Sequence, residues 1–186
     1  MAVEFVPFPK IARLSREVVV TEKIDGTNGQ IHITDAGEVL AGSRTRWINP
    51  KMDNHGFAAW VEAHKQELLS LGPGSHFGEW WGQGIQRRYG LTEKRFSLFN
   101  VGRWGEFGKD EASKPPCCHV VPVLYRGPFD TQAIAGVLTV LRACGSVAAP
   151  GFMQPEGVVI FHSASGALFK KTLEKDNQPR GAQEAA

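Results

Sequence analysis

Residues 17–41 read EVVVTEKIDGTNGQIHITDAGEVLA, and their pattern decides the class of fold. Glu17 to Ile24 is a short β-branched run, which predicts a strand. Gly26, Thr27, Asn28 and Gly29 break it, and Gln30–Ile33 and Glu38–Ala41 then flank a TDAG turn, which predicts a hairpin. Strands that follow one another through short turns, with no helix between them, point to antiparallel pairing. Lys23 falls near the end of the first strand, followed by an acidic residue and a glycine turn.

Further along, Asn54 to Leu71 carries Phe57, Ala58, Val61, Leu68 and Leu69 at roughly helical spacing and closes on GPG, which predicts an amphipathic helix. His76–Trp80 and Phe96–Val101 predict buried strands, with the polar, Gly-rich stretch Gly82–Gly90 as a loop between them. Residues 105–119 read as a loop, VVPVLY as a strand and Thr131–Ala143 as a second amphipathic helix. Gly157–His162 and Ala167–Leu173 bracket SASG as a closing hairpin, and the polar end KDNQPRGAQEAA predicts a frayed tail. Strands outnumber helices and come mostly in hairpins. The expected fold is therefore α+β, with mostly antiparallel sheets and a few flanking helices. No GxGxxG is present to support a dinucleotide-binding alternative.

The composition agrees with an ordinary globular protein: 186 residues, 42% apolar and 22% charged, enough for one well-buried domain. A formal charge of +2 gives little support for a polyanionic partner, so any positive patch is local. Three cysteines, two of them the neighbours Cys117 and Cys118, form no pairing framework and point to reduced thiols. The segment MAVEFVPFPKIARLS lacks a continuous apolar core, and no stretch approaches the roughly 20 apolar residues of a membrane span. The expectation is a cytoplasmic protein without a membrane partner.

A lone KxDG within TEKIDGTN, residues 21–28, is a weak signal, because a lysine at a strand end is usually just solvated. Here it has companions in order: Ser43 and Arg44, GEW at 78–80, FSLFNV at 96–101, EGVVIF at 156–161 and LFKKT at 168–172. This series resembles the covalent nucleotidyltransferase superfamily of RNA ligases, DNA ligases and mRNA capping enzymes. EKIDGTN, FGEWWG and the FxxF form of the fourth motif look closest to the RNA ligase branch typified by the phage T4 RNA ligase 2 group. The resemblance covers most of the chain. It implies an ATP-grasp-like nucleotidyltransferase domain over residues 1–174. Residues 175–186 are expected to be a disordered tail, with no OB-fold or helical C-terminal domain of the kind that full ligases of the superfamily usually carry after the last motif.

The resemblance implies that Lys23 attacks the α-phosphate of ATP, leaving lysyl-AMP and pyrophosphate. Only a neutral amine is a nucleophile, and an ordinary lysine with a pKa of about 10.4 is almost wholly protonated at pH 7. Asp25 is therefore expected to be held by another partner or turned from the amine, since a bare carboxylate there would favour the charged form. By resemblance Lys170 contacts the α-phosphate and Glu156 helps hold Mg²⁺ or Mn²⁺ through a hard oxygen. Phe99 matches the adenine-stacking aromatic, Glu79 the acid on the ribose hydroxyls, and Arg44 an arginine near ribose and phosphate. Glu22, Ile24 and Asn28 complete the base and ribose contacts.

The closing hairpin departs from the family pattern, in which two lysines are separated by one residue, because Lys170 and Lys171 are adjacent. Adjacent residues of a strand face opposite ways, so one pocket takes one of them. A four-residue SASG loop puts Lys171 on the face of Glu156, whereas alignment of FK with the family favours Lys170.

The activity implied is an ATP-dependent RNA ligase of phage or bacterial type. It would pass AMP to a 5′-phosphate end and join that end to a 3′-OH, on RNA ends or a nicked duplex. A DNA nick ligase, a stand-alone adenylyltransferase and a degenerate nucleic-acid-binding module are the alternatives. The short end after Leu173 leaves room for a protein partner that supplies a nucleic-acid-binding module. Arg44, Arg46, Arg87, Arg88, Arg95 and Arg103 flank the motifs and suit phosphate contacts or a solvated surface.

Overall fold

The β-branched run forms strand β1 (Glu17–Lys23), which is hydrogen-bonded on both sides and so lies inside a sheet. The computed structural model describes residues 3–106, 108–174 and 176. Its other strands are β2 (Thr27–Ile33), β3 (Val39–Gly42), β4 (Trp47–Ile48), β5 (Gly74–Gly82), β6 (Lys94–Leu98), β7 (Cys118–Val120), β8 (Val123–Pro128), β9 (Gly157–His162) and β10 (Ala167–Thr172). They make a four-stranded sheet in the order β10-β9-β1-β8 and a six-stranded sheet in the order β4-β3-β2-β5-β6-β7. Every named pairing is antiparallel except β6 with β7. The α+β expectation holds.

The chain changes sheets at Pro122. β7 ends at Val120 in the six-stranded sheet and β8 starts at Val123 in the four-stranded one, so VVPVLY is not one strand. Proline lacks the N–H that a ladder needs, but the Pro122 carbonyl still accepts from the Glu22 N–H at 2.9 Å.

The helix expected from Asn54 to Leu71 is shorter and broken. It becomes α1 (Phe57–Ala63), α2 (Lys65–Leu68) and a 3₁₀ turn over Leu69–Leu71. His64 leaves helical geometry with ψ 15°, and its Nδ1 lies 2.9 Å from the Trp60 carbonyl oxygen. The strand expected to reach Val101 stops at Leu98. Asn100 caps α3 (Val101–Trp104), its side chain accepting from the Arg103 N–H at 3.1 Å.

Among the described residues three apolar clusters hold these layers. Phe57, Ala58 and Val61 of α1 pack beneath the six-stranded sheet on Ile31, Trp80 and Phe96. Helix α4 (Thr131–Cys144) lays Ile134, Leu138 and Leu141 against Val18, Val20, Val158 and Ile160 of the four-stranded sheet. Ile24, Trp81, Tyr89, Val121 and Ala149 form a third cluster, which draws the end of β1 and strand β5 together. Among the described residues no helix is long and apolar enough to cross a membrane. The expected frayed tail, apart from Asp176, lies outside the described residues.

Candidate active site

Alternation along β1 sends Val18, Val20 and Glu22 toward α4 and leaves Lys23 on the other face. The Nζ of Lys23 donates to Oε2 of Glu156 at 2.6 Å. Glu156 comes immediately before β9, whose Gly157 pairs with Lys23. Strict alternation would place Glu156 with Val158 on the α4 side. Gly157 has φ 153°, and a Cβ there would run into the Lys171 carbonyl, so only glycine allows the backbone to turn Glu156 onto Lys23.

Two further acids stand close by. Glu79 pairs across the sheet with Asn28, and its carboxylate accepts from the Gly26 N–H at 3.0 Å and from Asn28 Nδ2 at 3.2 Å. Burial pushes its pKa up to about 7; the charge of Lys23 pulls it down, and Glu156 and Asp25 push it up. Asp25 is engaged elsewhere, as expected from the sequence. Its carboxylate accepts from Arg87 Nε at 3.1 Å, and its N–H donates to the Tyr89 hydroxyl at 2.7 Å. Arg87 is anchored in turn by donating Nη1 to the Gln154 carbonyl at 3.0 Å. The turn that presents Arg87 and Tyr89 has positive φ at Gln86, Arg88 and Tyr89, a local strain of the kind found at binding loops.

Beside these groups a depression of about 190 Å³ opens on the exposed face of the six-stranded sheet, lined by Asn28, Gln30, Arg44, Phe77 and Phe99. Phe99 is 41% exposed, unlike the fully buried Phe96 of the same motif. Its N–H donates to the Phe77 carbonyl at 2.9 Å, which continues the β5–β6 pairing by one residue. Arg44 lies in the turn between β3 and β4, where the Ser43 N–H donates to the Arg46 carbonyl at 2.8 Å.

Two of the sequence-named side chains lie elsewhere. Glu22 is buried behind β1, where its carboxylate accepts from the Ser146 hydroxyl at 2.5 Å and from the Val147 and Ala148 N–H groups at 2.8 Å each. Ile24 is a core residue packed on Trp81 and Tyr89. Lys170 pairs with Val159, itself the partner of Thr21, and so shares the face of Lys23 two strands away. Lys171 pairs with Val158 and faces the α4 side. The four-residue loop is as expected; the turn at Gly157 moves Glu156 to the side of Lys170.

Residues 16–172 match the RNA ligase family. The chain belongs to that family. Solved structures of variants of the RNA ligase of Naegleria gruberi share its fold. The variant with AMP and Mn is 18% identical at a TM-score of 0.65, covering 86% of this chain and 50% of that one. A variant with ATP and Mn is 18% identical at a TM-score of 0.62, also covering 86% and 50%. An apo variant gives 18%, 0.64, 85% and 50%. The chain thus spans about half the length of these RNA ligases. No curated protein matches it.

Within this RNA ligase fold, several groups that shape the site carry no sequence signal for the contacts they make. Arg87 and Tyr89 come from a polar loop 62 and 64 residues beyond Asp25. Ser146 lies just past α4, 124 residues from Glu22. Phe77 reads as a strand residue, and only the pleat of β5, which sets it opposite Gln30 on the open face, makes it part of the depression.

Proposed function

We propose that the chain is an ATP-dependent RNA ligase that works through a lysyl-AMP intermediate on Lys23. The observation that carries this reading is the seating of Lys23 Nζ on Glu156, with buried Glu79 close enough to feel its charge and the Phe99 depression alongside. In the Naegleria proteins the fold is found with ATP or AMP and Mn.

ATP enters with adenine on Phe99, ribose hydroxyls toward Glu79 and Asn28, and phosphates toward Arg44, Lys23 and Lys170. Lys23 Nζ attacks the α-phosphorus. A P–N bond forms, the bond from α-phosphorus to the bridging oxygen breaks with its electron pair going to the departing pyrophosphate, and the amine proton passes to solvent. Arg87 engages the Asp25 carboxylate. A 5′-phosphate oxygen then displaces lysine from AMP, and a 3′-OH displaces AMP from that end.

Among the described residues no group of three or more His, Cys, Asp or Glu side chains could hold a metal. That fits a Mg²⁺ or Mn²⁺ that arrives on the phosphates and takes one hard protein oxygen, from Glu156, rather than an all-protein cage. When bound it would neutralise charge on the phosphate oxygens. Lys170 supplies a second cation for the same charge.

Incubation with α-labelled ATP and Mg²⁺ should leave label on the denatured wild-type protein and none on Lys23→Ala. Labelling of that variant at the wild-type rate would reject the mechanism. Joining of RNA ends is a separate assay on the same protein, because solved relatives are about twice as long.

A further inference from the structure

Trp47 and Phe77 are half exposed, at 53% and 55%, whereas Trp80, Trp81 and Trp104 are buried to within 2% of full burial. Both exposed rings stand on the open face of the six-stranded sheet in one cross-strand row. Phe77 pairs with Gln30, Gln30 with Gly42, and Gly42 with Trp47. At about 4.8 Å per strand, the row from Phe77 to Trp47 runs for about 14 Å. The Trp47 indole lies against Gly42, where a Cβ would come within 3.2 Å of the ring carbons, with the His32 ring 5.9 Å away, and the residue stays half exposed.

Cations accompany the rings. A second depression, about 320 Å³, is lined by Arg44, Arg46 and Trp47 and shares Gln30, Ser43 and Arg44 with the Phe99 depression. Through these shared residues the two adjoin as one groove. Among the described residues no carboxylate lines either depression.

We infer that this groove binds an unpaired, single-stranded polynucleotide end, with Phe77 and Trp47 as stacking surfaces and Arg46 on its phosphates. The inference rests on the ligase reading for its partner and adds how that partner is held. Exposed flat rings with cations beside them are what splayed bases and their backbone require. A nicked duplex hides its base faces in its own stack and offers such rings little.

The test is fluorescence anisotropy of the full chain with a short labelled single-stranded RNA and with a nicked RNA duplex of the same sequence. The single strand should bind more tightly. Trp47→Ala should weaken it by about 5- to 150-fold, Trp47→Phe should keep most of the affinity, and Arg46→Ala should lower the salt slope by about one. Tighter binding of the nicked duplex, no binding of the single strand, or a Trp47→Ala variant equal to wild type would overturn the inference. Covalent labelling of the wild-type protein separates the two readings. Label without Trp47-dependent binding removes only the groove, and Trp47-dependent binding without label removes only the ligase mechanism.

Discussion

Lys23 Nζ rests 2.6 Å from Glu156 Oε2 across 133 residues of sequence, at the point where β1 and β9 begin to pair. An amine held this way is positioned by the carboxylate, and the same oxygen is the hard donor nearest the nucleophile. Removing it leaves a half-buried cation without its partner and loosens its aim. Glu156→Ala is expected to lower the rate of covalent AMP labelling by about 100-fold or more at saturating ATP and Mg²⁺. Rapid-quench measurement of the first turnover checks this, and an unchanged rate would remove Glu156 from the site.

The register of β10 sets the two lysines apart. Lys170 shares the face of Lys23, and Lys171 shares that of Glu22. Lys170→Ala should cost several kcal/mol of transition-state stabilisation, because its contact strengthens as charge grows on the phosphate oxygens. Lys171→Ala should stay within about 0.5 kcal/mol of wild type. First-turnover rates of the two variants decide it, and a severe loss at Lys171 alone would mean that the pocket lies on the other face.

The strands were legible because β-branched runs and turn residues punctuate them. The breaks were not. His64 sits in a good helical pattern and still ends α1, and Pro122 lies inside an apolar run that serves two sheets. Trp47–Ile48 is too short to carry a period, and the parallel β6–β7 pair joins segments separated by a loop. At the site, motif order named Lys23, Glu79, Glu156 and Phe99. The side chains that hold their neighbours, such as Arg87 on Asp25, come from loops without pattern. Glu22 lies behind β1 because a motif fixes a position in sequence, whereas the pleat fixes the face, and Glu22 falls with Val20 on the α4 side.

Glu79 makes stability depend on pH. Its pKa rises from an ordinary 4.5 to about 7 in the folded protein, mainly through burial. Between these values the folded state holds the proton more tightly than the unfolded chain does. This contribution is therefore complete below pH 4.5 and is lost as pH rises through 7. Glu79→Gln stays neutral throughout, so its stability relative to wild type should climb by up to about 3 kcal/mol from acid to alkaline pH. Urea unfolding of both proteins at several pH values tests this, and a difference that stays flat would reject the raised pKa.

Glu22 is expected to act on the fold rather than on the nucleotide. Its carboxylate is the acceptor for the Ser146 hydroxyl and for the Val147 and Ala148 N–H groups, in a spot only 1% exposed. Burial raises its pKa, and the three hydrogen bonds oppose that rise without cancelling it. Alanine would leave the buried Ser146 hydroxyl and two partly buried N–H groups without their acceptor and open a cavity behind β1, so Glu22→Ala should lose roughly 3 kcal/mol of stability. Glutamine keeps one carbonyl oxygen for the backbone donors and can donate to Ser146, which itself rotates to accept. Glu22→Gln should therefore fold with a loss of about 1 kcal/mol and label with AMP at close to the wild-type rate. Thermal or urea unfolding gives the stabilities, and covalent labelling at sub-saturating ATP gives the nucleotide dependence. A Glu22→Gln variant of unchanged stability that labels poorly would return Glu22 to the nucleotide site.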